Sequence, residues 1–361
     1  MNKNKIKIIS FENCIELGRN VDKHLQKEFN NNKSNLINVV CSRFINGEGK
    51  LYIDESIEDK DLYIISDVGN YSITYNLYGI EHNMSPDEHF QDIKRVISAS
   101  NGRFKKIVVI MPLLYQSRQH RRKERESLDC ALALQELENL GVNKIITFDC
   151  HDPNVSNAIP NLPFENYYAS DIIINSIKKN HKLLNERTLV ISPDMGAMER
   201  ARYYAERIKC DVGLFYKRRD LSKVVNGKNP IIEHVYLGKN PKDLTVLVID
   251  DMIASGGSMI DVAKKLKEEG ASKVVLVATF SLFTNGINVF EEAYEANIFD
   301  ELYTTNLTYI PKEFNKYKWL KIVDCSKQIS QIIYGDSTGT EVDITDEEDI
   351  NPEFNKESKN E

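Results

Sequence analysis

Apolar and polar positions alternate along the chain in a way that predicts short buried strands separated by helices. Near-continuous apolar runs of strand length occur at residues 5–10, 106–112, 144–148, 188–192, 211–215, 245–249 and 274–279. Such runs suit parallel strands covered on both faces better than surface strands with one wet face. Helical segments are expected at 14–29, within 70–100 after a loop, at 128–140, 171–179 and 200–208, from 260 onward, and at 325–334. The recurrence of strands with helices between them predicts a parallel α/β architecture. A length of 361 residues exceeds the usual single domain and predicts two.

The pattern is most informative at residues 245–259, TVLVIDDMIASGGSM. An apolar strand is expected to end at Asp250 and Asp251, and Ser255, Gly256, Gly257 and Ser258 then lead into a helix with apolar positions at Ile260, Val262, Ala263 and Leu266. Two glycines let backbone N–H groups close on an anion, and the following helix N-terminus adds partial positive charge. Paired carboxylates cannot help hold a phosphate, but they accept hydrogen bonds from a vicinal diol. The stretch therefore describes a sugar phosphate; an ordinary strand, turn and helix is the plainer alternative.

Composition narrows the class. No apolar run approaches the length of a spanning helix, and the stretch near the N-terminus is too short for a signal peptide, so a cytoplasmic protein is expected. The cysteines at 14, 41, 130, 150, 210 and 325 form no C-x-x-C pair or zinc spacing and read as reduced, mostly buried thiols. The net charge is −7. Residues 335–361 hold ten acids against two lysines, or −8, which leaves the rest near +1. An acidic disordered tail is expected at 336–361, and the nearly neutral body gives no footprint for nucleic acid.

Other stretches carry candidate chemistry. An apolar strand runs into Arg43, Phe44, Asn46, Gly47 and Glu48. An exposed aromatic beside an amide and a carboxylate can stack on and hydrogen-bond a purine, and a strand with a polar turn is equally consistent. Residues 115–127 hold Arg118, Arg121, Arg122, Lys123 and Arg125, with Gln119 and His120 among them. That cluster suits a polyphosphate, although charge runs are usually solvated faces. Asp149, Cys150, His151 and Asp152 follow the run at 144–148; on hardness grounds His151 alone reads as a hydrogen-bonded loop residue. Ser192, Pro193, Asp194, Met195, Gly196 and Ala197 again place an acid and a glycine loop between strand and helix. Lys217, Arg218 and Arg219 open a polar loop, where three adjacent cations need water or an anion between them.

In this order, over about residues 36–334, the motifs resemble those of the ribose-phosphate diphosphokinases, the phosphoribosyl diphosphate synthetases. The resemblance implies two phosphoribosyltransferase-type domains, residues 1–166 on the ATP side and 167–324 on the ribose 5-phosphate side, with 325–335 a candidate to return to the first. It implies transfer of the diphosphoryl group of ATP to the C1 hydroxyl of ribose 5-phosphate. Phe44, Asn46, Glu48, Arg118 and Gln119 would then bind ATP, and His151, with Asp149 and Asp194, would bind Mg2+. Lys217 and Arg219 would be catalytic. Asp250 and Asp251 would hold the ribose diol, and Ser255, Gly256, Gly257 and Ser258 the 5-phosphate. A homo-oligomer, a hexamer built from dimers, is also implied. The chain departs from the family pattern at His120 (an acid in the family), Asn161 (an acid), Ala197 (the second glycine) and Ala254 (the third acid of the sugar-phosphate loop). Two other classes stay open: a phosphoribosyltransferase that consumes phosphoribosyl diphosphate, and a catalytically silent regulatory homologue.

Overall fold

The structure, a computed structural model, describes residues 5–181, 187–219 and 231–341, with backbone alone at 217–219 and 231–234. Two sheets carry the apolar runs. The first holds, in spatial order, Ile6–Ser10, Asp61–Ile65, Lys106–Ile110, Lys144–Phe148 and Phe164–Tyr167, every neighbour parallel. The second holds Ile231–Leu237, Asp211–Arg219, Thr188–Ser192, Thr245–Ile253, Lys273–Ser281, Glu301–Thr305 and Leu320–Val323, antiparallel only between the first two. The expected α/β class with parallel sheets flanked by helices is thus what the chain adopts.

The sheets share one apolar layer. Tyr63, Ile65, Val108 and Ile110 of the first pack in the same buried cluster as Val190, Leu247, Ile249 and Val275 of the second, with residues from helices Ile15–Glu28, Ser170–Asn180, Met198–Ile208 and Ser326–Thr338. The C-terminal helix bears on the first half of the chain: Tyr334 meets Phe29 at 5.0 Å between ring centroids. It also corrects the expected tail. The helix continues through Thr338, and the nearly buried carboxylate of Asp336 accepts from Tyr63 Oη (2.6 Å) and Lys106 Nζ (2.7 Å) and pairs with Lys144 Nζ (2.8 Å). Burial would push that carboxyl up, but these partners together hold it below the usual carboxylate range. The remainder of the expected tail, 342–361, lies outside the described residues.

Two antiparallel hairpins stand outside the sheets, Val39–Arg43 with Gly49–Ile53 and Thr74–Leu77 with Ile80–Asn83. The second falls where the sequence predicts a loop. Its strands are only four residues long, and the turn between them is Tyr78-Gly79, without the Asn-Gly or Asp-Gly signal that marks tight hairpins. Helix Pro86–Ser100 then starts at a capping box of Ser85 and Glu88 with proline in its first turn, and stops at Asn101, whose φ of 48° is left-handed.

Candidate active site

The strand Thr245–Ile253 runs past both acids. Asp250 still faces Ala278 in the parallel register, so the carboxylates sit inside the strand and not beyond its end. Helix Gly257–Glu268 follows, with Gly256 just before it at φ +87°. The two glycines differ in purpose. A Cβ on Gly256 would collide with the Phe290 ring, so that position is fixed by backbone angle and internal packing, while Gly257 faces open space. Ser255 and Ser258 flank the N-terminal end of this helix, where the helix dipole favours negative charge, and the Met259 and Ile260 amides donate to the Gly256 carbonyl at 3.1 and 3.0 Å.

A hydrogen bond joins the two halves of the chain here. His151 follows strand Lys144–Phe148 of the first sheet, and its Nδ1 lies 2.8 Å from Oδ2 of Asp251 in the second. The partnership raises the imidazole pKa above its ordinary value, against burial and the nearby positive charges of Arg200 and Arg118. Burial alone would push the Asp251 carboxyl up, but the His151 hydrogen bond and the Arg200 charge hold it below the usual range. Asp250 goes the other way, pushed well up by burial and by the negative charge of Asp251, whose backbone N–H it accepts at 2.9 Å. Adjacent acids with opposite shifts carry one proton more readily on Asp250 than on Asp251.

Arg200 was not singled out by sequence, and it organises the site. Its Nε donates to Oδ1 of Asp149 at 3.2 Å, and it interacts with both Asp250 and Asp251, so three carboxylates raise its pKa despite burial. A signal was present. Arg200 is the third residue of helix Met198–Ile208, where a cation opposes the helix dipole and needs some other reason. Asp149 receives a different role from the metal one expected. It is buried and left-handed at φ 39°, and its other oxygen accepts from Ala169 N–H (3.2 Å) and Thr279 Oγ1 (2.7 Å). Arg200 and Thr279 donate to it from the second half of the chain, so the side chain fastens the halves.

The other predicted residues fall in three places. Asp194 closes its own loop, with Oδ1 accepting from the Gly196 and Ala197 amides at 2.8 and 3.3 Å, so those two donors are already engaged. Arg118 is exposed near His151, and Gln119 Nε2 folds back to the Ser127 carbonyl at 2.9 Å. His120, where the family has an acid, stands 5.3 Å from the His151 ring and 3.3 Å from Oδ2 of Asp152. Phe44, Asn46 and Glu48 occupy the turn of the first hairpin, whose base is tied to helix Pro86–Ser100 by a buried Arg43–Asp92 pair at 2.6 Å. Lys217 and Arg219 are not in a loop. Their backbone belongs to strand Asp211–Arg219, opposite His234 and Ile231, and their side chains lie outside the described residues.

The sequence matches the N-terminal domain of ribose phosphate pyrophosphokinase over residues 6–141 and the phosphoribosyl transferase domain over residues 164–299. A ribose-phosphate pyrophosphokinase of Pyrococcus abyssi is 33% identical over 304 residues, which cover 84% of this chain and 93% of that one. One of Mycoplasmopsis pulmonis is 29% identical over 336 residues, covering 92% and 94%. The crystal structure of phosphoribosylpyrophosphate synthetase from Mycobacterium smegmatis has the same fold, with a TM-score of 0.74 at 19% identity over 93% of this chain and 99% of that chain. With both domains matched in order and a relative at this identity along most of its length, the chain belongs to the ribose-phosphate pyrophosphokinase family.

Proposed function

We propose that the site between the two sheets performs the family reaction, transfer of the diphosphoryl group of ATP to the C1 hydroxyl of ribose 5-phosphate. The chain is a ribose-phosphate diphosphokinase, a diphosphoryl transferase. The C1 oxygen forms a bond to the β-phosphorus as the bond from that phosphorus to the α,β-bridging oxygen breaks, and AMP leaves. The observation that carries this reading is the 2.8 Å contact between His151 and Asp251, which brings a residue that follows a first-sheet strand against one of the paired acids in the second sheet.

In this reading the anion seat at Ser255, Gly256, Gly257 and Ser258 takes the 5-phosphate, and Asp250 and Asp251 take the ribose hydroxyls. Asp250, the more open and the more readily protonated of the two, can both donate and accept. Arg118 and Gln119 meet the phosphates of ATP, and Phe44, Asn46 and Glu48 its purine. Lys217 and Arg219, whose backbone lies on the edge hairpin, are assigned the stabilisation of charge that grows on the transferred group in the transition state.

Mg2+ fits this cleft as an ion carried on ATP. Among the described residues no group of three or more His, Cys, Asp or Glu is placed to hold a metal by itself. Mg2+ characteristically keeps waters and substrate phosphates as its ligands. His151, whose Nδ1 is turned to Asp251, would offer Nε2 to the ion, and Asp194 would offer its other carboxylate oxygen. When bound, the ion would neutralise phosphate charge and align the β-phosphorus. We further propose a cytoplasmic homo-oligomer, a hexamer built from dimers; among the described residues no helix is long and apolar enough to cross a membrane.

Kinetics of two variants test the assignment. Lys217→Ala should lower kcat by roughly 100-fold or more with little change in KM for ATP, as expected of a contact made mainly in the transition state. Asp251→Asn should raise KM for ribose 5-phosphate. A Lys217→Ala enzyme with normal turnover and only a raised KM would reduce that residue to a binding contact.

A further inference from the structure

The second hairpin has no place in either sheet, yet it is built into its surroundings on two sides. On one side it is fixed to helix Pro86–Ser100. Tyr75 Oη donates to Oε1 of Glu88 at 2.6 Å, His82 Nε2 lies 3.2 Å from the other oxygen, and Glu88 itself closes the helix capping box. On the other side it meets the turn of the first hairpin. Tyr78 N–H donates to the Ile45 carbonyl at 2.8 Å. A Cβ added to Gly47, which sits at φ +91°, would come to 3.1 Å from Leu77 Cδ1. Beneath both, the Arg43 guanidinium lies 5.8 Å from the Tyr75 ring centroid.

The turn at 44–48 has few constraints of its own. Its internal bonds are Phe44 N–H to the Glu48 carbonyl and Gly47 N–H to the Phe44 carbonyl, each 2.8 Å, and Glu48 N–H to Asn46 Oδ1 at 3.2 Å. Phe44 and Ile45 are 55% and 65% exposed, so no core holds them. A two-residue hairpin turn with Tyr78 (φ 50°) and Gly79 (φ 86°) both left-handed turns the Tyr78 N–H away from its own ladder, and Ile45 is what that N–H meets.

We propose that the hairpin Thr74–Leu77 with Ile80–Asn83 is a brace that positions the nucleotide-reading turn, transmitting the rigidity of helix Pro86–Ser100 through Glu88, Tyr75 and the Tyr78 amide to Ile45. This rests on the assignment of Phe44, Asn46 and Glu48 to ATP. Tyr78 and its hairpin are positioning residues in this scheme. They fix the turn before ATP arrives, so the ordering cost does not fall on binding.

Two changes to the full-length chain test it. In one, residues 74–83 are replaced by Gly-Gly, which can close the gap because Met84 N–H already donates to the Ile73 carbonyl at 2.8 Å. In the other, Tyr78→Pro removes the N–H and forbids the left-handed φ. In both, hydrogen exchange at the Phe44 and Gly47 amides should quicken about tenfold or more. KM for ATP should rise about tenfold while KM for ribose 5-phosphate stays within about twofold. Tyr78→Asn, which keeps the amide and tolerates the turn, should behave as wild type. Wild-type exchange at 44–48 in the deletion would overturn the brace, as would a loosened turn with unchanged KM for ATP. Phe44→Ala tells the two failures apart: if it too leaves KM for ATP unaltered, the ATP assignment of the turn falls, and the brace's role with it.

Discussion

Arg200 and Asp149 have opposite histories at the scale of single residues. Asp149 was legible as a site residue because it follows a buried strand beside His151, but its surroundings turn it into a fastening. Arg200 was passed over inside a polar helix, yet it faces three carboxylates. Arg200→Met should therefore leave the Asp149 carboxyl without its cation in a fully buried place, a loss of roughly 3–5 kcal/mol read as a lower urea midpoint. A midpoint within about 0.5 kcal/mol of wild type would mean that the pair adds nothing to the fold. Ala254 poses the reverse question. Its backbone carbonyl is engaged by Thr284 N–H at 2.9 Å, and its side chain leaves the third acid of the family loop absent. The pair of His151 and Asp251 is kept, so Ala254→Asp should change kcat by less than about tenfold, or 1.4 kcal/mol. A natural protein that forms no AMP beside an Asp variant that does would make the chain a silent homologue.

Legibility varied with length at the scale of elements. The long apolar runs announce their strands, most plainly at 188–192, 245–249 and 274–279, because burial on both faces leaves no polar alternation to confuse them. Hairpins outside the sheets announce themselves weakly. Four-residue strands at 74–83 with a Tyr-Gly turn carry little periodicity, and the tract at 216–219 reads as loop because its charges mask a strand paired at a sheet edge. The C-terminal helix was placed, but not its last turn, because Asp336 looks like the first acid of a polar tail until Tyr63, Lys106 and Lys144 are seen around it. Asp336→Ala should cost about 2 kcal/mol, since it strips a nearly buried carboxylate from the fully buried Tyr63 and from two lysines that remain partly open to water. Removing 342–361 leaves those contacts in place and should not share that loss. Equal destabilisation by the two changes, measured by urea unfolding, would contradict this account of the helix end.

A second clamp acts at the scale of the whole molecule. Asp67, at the end of a first-sheet strand, accepts from Tyr309 N–H at 2.7 Å and from Thr308 Oγ1 at 3.2 Å, across to the second half of the chain. Burial pushes its carboxyl up to about 7 from 3.8, against the three hydrogen bonds that favour the charge. An acid whose folded pKa lies above its unfolded value contributes stability in its neutral form. That contribution is full below about pH 4 and is lost as pH rises through about 7. The stability difference between wild type and Asp67→Asn should thus shrink in wild type's disfavour from about pH 4 to about pH 8, and a difference independent of pH would contradict the raised pKa.

Diphosphoryl transfer at the site that joins His151 to Asp251 can be measured directly. Pure protein is incubated with ATP, Mg2+ and ribose 5-phosphate, and AMP and phosphoribosyl diphosphate are followed together. The account predicts equal amounts of the two products, with no AMP when the sugar phosphate is withheld. AMP formed at the same rate without the sugar, or no AMP from an intact folded protein with all three present, would contradict it.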